Sequence, residues 1–330
     1  MTGSGEETTA TVVIPSYGRP ESLRACLDAV LGGSRLPEQV IVVLRDTDGE
    51  SHQALRAWLS EAGDAAGRVE SARVSRPGQS WATNRGLERT RGDVVCFIDD
   101  DCRPTEEWLD RLMRHYQDPG VVGVGGRDIV HHGDTISARP SRVVGRLTWW
   151  GRVTGNHHQP AGDEPREVDH LKGANMSFRR RAGVRFDPNL LGAHLSDTDA
   201  SLSARRHGRL IYDPLAAVHH YPAPRPHGYQ RSSTSFDQLY ADAHDWSYVM
   251  HKHLSPGGRA AFVAWALMVG QDRRYGLLKA LAALPLGPRA ALRRWWATVR
   301  GVLAGRAAAR RAASSASDHR GREPSHVARP

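Results

Sequence analysis

Residues 94–113 read VVCFIDDDCRPTEEWLDRLM, five apolar residues running directly into Asp99, Asp100 and Asp101. An apolar run of that length with no alternating polar face reads as a strand buried on both sides, as in parallel sheets covered by helices. The helical spacing of Trp108, Leu109, Leu112 and Met113 supplies a cover. Three consecutive carboxylates repel one another, and a divalent cation bound by hard oxygen ligands relieves that repulsion; a solvated acidic turn is the plainer alternative.

The alternation of strand and helix extends towards the start of the chain. Residues 12–14, 40–44 and 69–74 read as short strands. Pro20 and Glu21 open a helix in which Leu23, Cys26, Leu27, Val30 and Leu31 recur at three and four, closed by Gly32 and Gly33. Leu55, Trp58, Leu59 and Ala62 mark a second helix and residues 82–88 a third. The expected class is α/β, a Rossmann-like, mostly parallel sheet flanked by helices. Ligands in such sheets sit beyond the carboxyl ends of the strands, so Pro15, Ser16 and Tyr17, Arg45 and Asp46, and the three aspartates should share one cleft. From residue 121 to 221 the pattern shifts to shorter strands with Gly- and His-containing loops, clearest at 175–179 and 209–212.

The chain has 330 residues, 39% hydrophobic and 25% charged, which is a globular composition. Cys26, Cys96 and Cys102 have no Cys-x-x-Cys spacing, and a reduced, cytoplasmic setting is expected. The polar first ten residues carry no secretory signal, and residues 1–10 are expected to be disordered. Formal charge is +9, but 14 basic residues against three acidic ones lie from Ser255 onward, so the remainder is near neutral. Charge so placed points the end of the chain, and not the folded domain, at an anionic surface.

Four blocks in order, PSYGRPESLRACLDAV, GQSWATNRGLERTRGDVVCFIDDDCRPTEEWLDRL, DHLKGANMSFRR and SDTDASLSARRHGRLIYDPLAAVHH, resemble family 2 glycosyltransferases of the GT-A fold, over residues 11–222. The resemblance implies a metal-dependent, inverting transfer from a nucleotide-diphosphate sugar to an acceptor hydroxyl, in cell-surface polysaccharide, glycolipid or glycosylated-metabolite synthesis. It implies Mn²⁺ or Mg²⁺ on Asp101, with Asp99 and His220, ahead of His219, as further ligands, and Asp197 as catalytic base. Donor contacts are implied for Pro15, Ser16, Tyr17, Arg19, Asn84, Arg85, Asp99 and Asp100. Gly173, Ala174, Asn175 and Asp199 fall in its sugar- or acceptor-binding blocks.

Each of these residues also has a bland reading. Ser196 is a good N-cap, and Asp197 and Asp199 suit the first turn of a helix that runs to His207 and stops at Gly208. Gly173, Ala174 and Asn175 suit a bulge, and Trp149 suits either sugar stacking or aromatic packing. His131, His132, His157 and His158 read as loop surface, His157 and His158 with an acceptor as their other use, and Cys102 reads as packing. The chain departs from the family where Leu44 and Arg45 replace acidic residues, leaving Asp46 or Asp48 to read the donor, and where Ser196 replaces a glutamate. Arg45 either touches the diphosphate or faces solvent. The competing functions are a catalytically impaired nucleotide-sugar-binding protein and a nucleotidyltransferase, although Pro15 to Arg19 make a poor phosphate loop.

The expected domains are a GT-A domain at 11–228, a helical, basic amphipathic region at 229–313 and a disordered tail at 314–330. Phe262, Trp265, Ala266 and Val269 form one helical stripe; Leu292, Trp295, Trp296, Val299, Val302 and Leu303 form another, interleaved with Arg289, Arg293, Arg294 and Arg300. No apolar run approaches the roughly 20 residues that span a bilayer. These stripes either pack on the catalytic domain or lie on a membrane surface beside a lipid-linked acceptor; no nucleic-acid partner is expected.

Overall fold

The computed structural model describes residues 7–133, 135–136, 139–192, 195–223 and 235–320. They divide into a sheet unit and a helical unit, and the short segments Thr148–Arg152 and Asn189–Leu195 belong with the helices. The expected boundary at 228/229 lies outside the described residues.

The sheet unit begins β1 (Ala10–Ser16), α1 (Pro20–Leu31), β2 (Gln39–Arg45), α2 (Gly49–Glu61), β3 (Val69–Val74), α3 (Gln79–Leu87), β4 (Val94–Ile98), β5 (Cys102–Pro104) and α4 (Trp108–His115). It continues with β6 (Val121–His132), β7 (Thr135–Ile136), β8 (Arg146–Leu147), β9 (Val153–Thr154), β10 (Arg166–Val168), β11 (Asn175–Arg179), α5 (Ser196–Ala204) and β12 (Arg209–His220). Among the described residues the main sheet runs β10-β12-β6-β11-β4-β1-β2-β3.

Its first half, β3-β2-β1-β4, is wholly parallel, so the carboxyl ends of β1, β2 and β4 lie along one edge. Every residue of β4 is buried, as its unbroken apolar run predicts. The helices follow their signals: Pro20 opens α1, and the Asp48 side chain caps α2 by accepting from the Ser51 N–H. The second half is mixed. β11 is antiparallel to β4 and β6, whereas β12 runs parallel to β6.

β12 extends eight residues past the expected end at Tyr212, reaching His220. Pro214 falls in a bulge between Asp213 and Val218, where a proline needs no ladder hydrogen bond. That continuation seats His220 opposite Cys102 of β5.

The helical unit holds α6 (Phe236–His253), α7 (Pro256–Met268), the small hairpin of β13 (Gly270–Gln271) and β14 (Arg274–Tyr275), α8 (Leu277–Ala283) and α9 (Pro288–Arg320). Gly301 and Gly305 let α9 approach α6 closely; a Cβ on Gly301 would stand 2.6 Å from the Tyr240 carbonyl oxygen. The Ser247 hydroxyl donates to the Val302 carbonyl at 2.7 Å across the same contact. Trp246 is fully buried between the edges of Phe262 and Trp265.

Disorder at the two ends needs correction. Within residues 7–10, Ala10 is already strand, and Thr9 is held by Asp93 through its N–H at 3.1 Å and its hydroxyl at 2.8 Å. α9 carries residues 314–320 as helix, because the alanine-rich run that precedes them favours helix; residues 321–330 lie outside the described residues.

Candidate active site

Beyond β4 the three aspartates part company. Asp99 is half-exposed, whereas Asp100 and Asp101 turn inward, which rules out a solvated acidic turn. Asp100 accepts from the Ser16 hydroxyl at 2.7 Å and from Arg19 Nη1 at 2.8 Å. The same Arg19 nitrogen reaches Asp101 Oδ2 at 3.1 Å, and the Ala223 N–H donates to that oxygen. Burial raises Asp100 to about 6 against the pull of Arg19.

The other oxygen of Asp101 lies 3.3 Å from His220 Nε2, and His220 Nδ1 lies 3.0 Å from Asp128 Oδ1. Asp128 is fully buried on β6 and pairs with Lys172. Burial opposes a charge on His220, but hydrogen bonds to its two carboxylates prevail and raise it to about 10. Burial likewise opposes a charged Asp128, yet His220 and Lys172 hold it down at about 2. The imidazole is fixed from behind by a carboxylate, with the opposite nitrogen facing Asp101, the arrangement that orients metal-binding histidines.

The pair suits a cation. Two ligands of one octahedral ion, each about 2.1 Å from it, stand about 3 Å apart, close to the observed 3.3 Å. A carboxylate oxygen and, once an arriving ion displaces the Nε2 proton, an imidazole nitrogen are donors that Mn²⁺ accepts, and Mg²⁺ favours the oxygen. Cys102 belongs to the same cluster, but burial pushes its thiol well up, which leaves it protonated and a poor partner for a hard ion. Asp99, expected as a ligand, lies outside that cluster and accepts from Gln79 at 3.4 Å.

Lys172 leads directly to Gly173, whose N–H donates to Asp197 Oδ2 at 3.0 Å. Asp197 Oδ1 accepts from the Thr198 N–H at 2.7 Å, and the carboxylate stays half-exposed in the first turn of α5. A continuous line of contacts therefore joins Asp101, His220, Asp128, Lys172, Gly173 and Asp197.

Several expected contacts turn inward instead. Asn175 is fully buried, accepting from Trp108 Nε1 at 2.8 Å and donating to the Ala216 carbonyl at 2.7 Å, so it ties α4, β11 and β12 together. Ala174 and Asp199 are buried as well and present no surface to a sugar. Asn84 clasps both backbone groups of Phe186, and Arg85 bonds Glu88 and the Arg73 carbonyl. Asp100 is enclosed by Ser16 and Arg19, so its carboxylate organises the cleft from within. His157, expected on a loop surface, is buried and meets the His170 carbonyl at 3.0 Å. His131 stacks on Tyr221 and contacts His219 at 2.9 Å.

At the second strand end, Arg45 is half-buried with its guanidinium 5.5 Å from the centre of the Tyr17 ring, and its buried Nε makes no hydrogen bond. Asp48 caps α2 and accepts from the Gly18 N–H at 2.6 Å, leaving Asp46 as the exposed carboxylate of the pair. Pro15 is half-buried in β1. Trp149 lies in the helical unit, 67% exposed and edge-on to Trp150.

Asp128 and Lys172 are the members of this line of contacts that the sequence alone does not single out. The signal was present: Asp128, second after Gly125-Gly126, stands where the apolar run of β6 ends. Such a residue must find a buried partner.

Among solved structures, a mannosyltransferase from Pyrobaculum calidifontis, in complex with GDP-Man and Mn²⁺, superposes with a TM-score of 0.52 at 18% identity, over 92% of this chain and 87% of that one. GalNAc-T7, with UDP, GalNAc and Mn²⁺, gives 0.55 at 17% identity, over 75% of this chain and 51% of that one. A glucosyl-dolichyl phosphate glucuronosyltransferase of Haloferax volcanii is 26% identical over 223 residues, 64% of this chain and 68% of that protein. An undecaprenyl-phosphate 4-deoxy-4-formamido-L-arabinose transferase of Yersinia pestis is 28% identical over 116 residues, which span only 35% of its length. The glycosyl transferase family 2 model matches residues 11–182, more than half of the chain and the stretch that carries β1 to β11. With the GT-A architecture around it, that match makes this chain a member of glycosyl transferase family 2, and the protein is a glycosyltransferase.

Proposed function

We propose that the sheet unit moves a sugar from a nucleoside-diphosphate sugar to a hydroxyl of a lipid-linked acceptor, with inversion at the anomeric carbon. The observation that carries this reading is the 3.3 Å approach of His220 to Asp101 beyond β4, a cation site at the strand ends where ligands of open α/β sheets bind. Two solved structures of like fold hold a nucleotide or nucleotide-sugar with Mn²⁺, and two relatives are named for dolichyl- or undecaprenyl-phosphate substrates.

Asp101 and His220 would hold the cation, with Asp99 facing the donor. When bound, the cation neutralises charge developing on the departing diphosphate. Arg45, with a buried Nε that donates to nothing, is placed to meet the donor beside Tyr17. Asp197, aimed by the Gly173 and Thr198 amides, takes the proton of the acceptor hydroxyl. The oxygen forms its bond to the anomeric carbon as the bond to the diphosphate breaks, and a single displacement inverts that centre.

The test is release of nucleoside diphosphate from a panel of sugar donors, with a prenyl-phosphate-linked sugar as acceptor. Turnover that needs Mn²⁺ or Mg²⁺ and vanishes in Asp101→Asn is the expected result. Full turnover in excess EDTA ends the reading.

A further inference from the structure

The helical unit carries a surface that its own packing does not use. α9 turns Ala291, Ala297, Thr298 and Val302 inward, and Gly301 and Gly305 press against α6, so its inner face is filled. Leu292, Trp296 and Leu303 stand on the outer face, each about half exposed. Leu278 and Leu281 of α8 are as open, and Leu286, in the turn between the two helices, is 92% exposed. Six large apolar side chains grouped on two consecutive helices make a patch of the kind that marks an interaction site.

The charge around that patch selects the partner. Arg289, Arg293 and Arg300 are exposed on α9, three or four positions from Leu292, Trp296 and Leu303. Between Asp272 and Asp318 the chain has ten Lys and Arg and no Asp or Glu. A second copy docked on the same face would set those cations against themselves, since a two-fold interface apposes identical patches. A nucleic acid would satisfy the arginines and leave the leucines wet. Anionic headgroups over an acyl boundary satisfy both, with Trp296 suited to the level between them. No helix among the described residues is long and apolar enough to cross a bilayer.

We propose that the outer face of α8 and α9 docks on an anionic membrane surface, inserting Leu281, Leu286, Leu292 and Trp296 while Arg289, Arg293 and Arg300 pair with headgroups. The inference stands on the helical unit alone and holds whichever acceptor the sheet unit uses.

Co-sedimentation of the full chain with phosphatidylcholine vesicles, with and without phosphatidylserine, tests it. The protein is expected to pellet with the anionic vesicles and to be released by salt, with Trp fluorescence shifting to the blue as Trp296 enters the interface. Each arginine removed should weaken partition roughly fivefold, so the triple variant Arg289→Glu, Arg293→Glu, Arg300→Glu should lose binding altogether. Leu286→Ser with Trp296→Ala should bind only at low salt; because Arg300 also lies over the Phe236 ring and Trp296 against Trp295, the double variant Arg289→Glu, Arg293→Glu, at two exposed positions, is the one expected to lose most of the binding at an unchanged melting temperature. Absence of binding to anionic vesicles at low salt, equal pelleting of the triple variant, or a wild-type dimer dispersed by Leu286→Ser would each overturn the proposal. Sugar transfer to a lipid-linked acceptor without vesicle binding would sink the docking face and leave the proposed function standing.

Discussion

The sheet unit buries charge, whereas the helical unit exposes apolar surface. Asp100, Asp101, Asp128 and His220 are each less than one-tenth exposed, and each has a charged partner within hydrogen-bond reach. Leu286 is 92% exposed, and Trp296, beside Trp295, is about half exposed. Neither arrangement is what folding stability alone selects: buried ions are costly even when paired, and exposed leucines contribute nothing to the core. Each unit departs from the ordinary pattern where the ligand proposed for it would sit, a cation in one and a lipid surface in the other.

The sharpest way to break this contrast is at the half-exposed carboxylate of the sheet unit. Asp197→Asn should lower turnover by about a hundredfold or more, the scale of losing a general base, with donor binding little changed. If Asp197 is only a first-turn helix residue, turnover stays near normal and stability drops by about 1 kcal/mol or less; turnover and melting temperature on one preparation separate the two. Asp128→Asn comes next. It keeps both proposed metal ligands but loosens His220 and strands Lys172, and Mn²⁺ affinity measured by calorimetry should fall by about 10–100-fold. An unchanged affinity would mean that His220 is held some other way.

The helical unit should respond through packing. Gly301→Ala forces a Cβ to within 2.6 Å of the Tyr240 carbonyl, and overpacking of this kind costs about 1–3 kcal/mol, read as a lower midpoint in urea. The smallest effect is a pH dependence in metal-free protein. His220 rises to about 10 on folding, above an ordinary histidine value of about 6.5. Its stabilisation is therefore complete below about pH 6.5 and lost as pH rises through about 10. The melting-temperature gap between the wild type and His220→Gln in EDTA should be widest near pH 6 and close towards pH 10; a constant gap contradicts the paired imidazole.

The parallel half of the sheet was legible because its signals are local. An unbroken apolar run, Pro20 at a helix start and Asp48 at a cap each declare an element within a few residues. The site was legible only as a neighbourhood. Asn84 and Asn175 stand in the blocks that resemble donor- and sugar-binding segments, but their partners are 102 and 41 residues away, and spacing does not show that an amide is already occupied. Asp128 was missed for the same reason: its partner is a histidine 92 residues on, reached because β12 runs on through a bulge. On α9 the apolar spacing was plain, yet periodicity cannot tell a stripe that meets α6, with Val302, from one that meets solvent, with Leu292 and Leu303.

The central claim is that Asp101 and His220 form a cation site beyond β4, and titration of the full chain with Mn²⁺ by calorimetry tests it most directly. One site per chain is expected, with an affinity that falls at least tenfold in Asp101→Asn and in His220→Gln while both variants keep the wild-type circular dichroism. Equal Mn²⁺ binding by the wild type and both variants would contradict it.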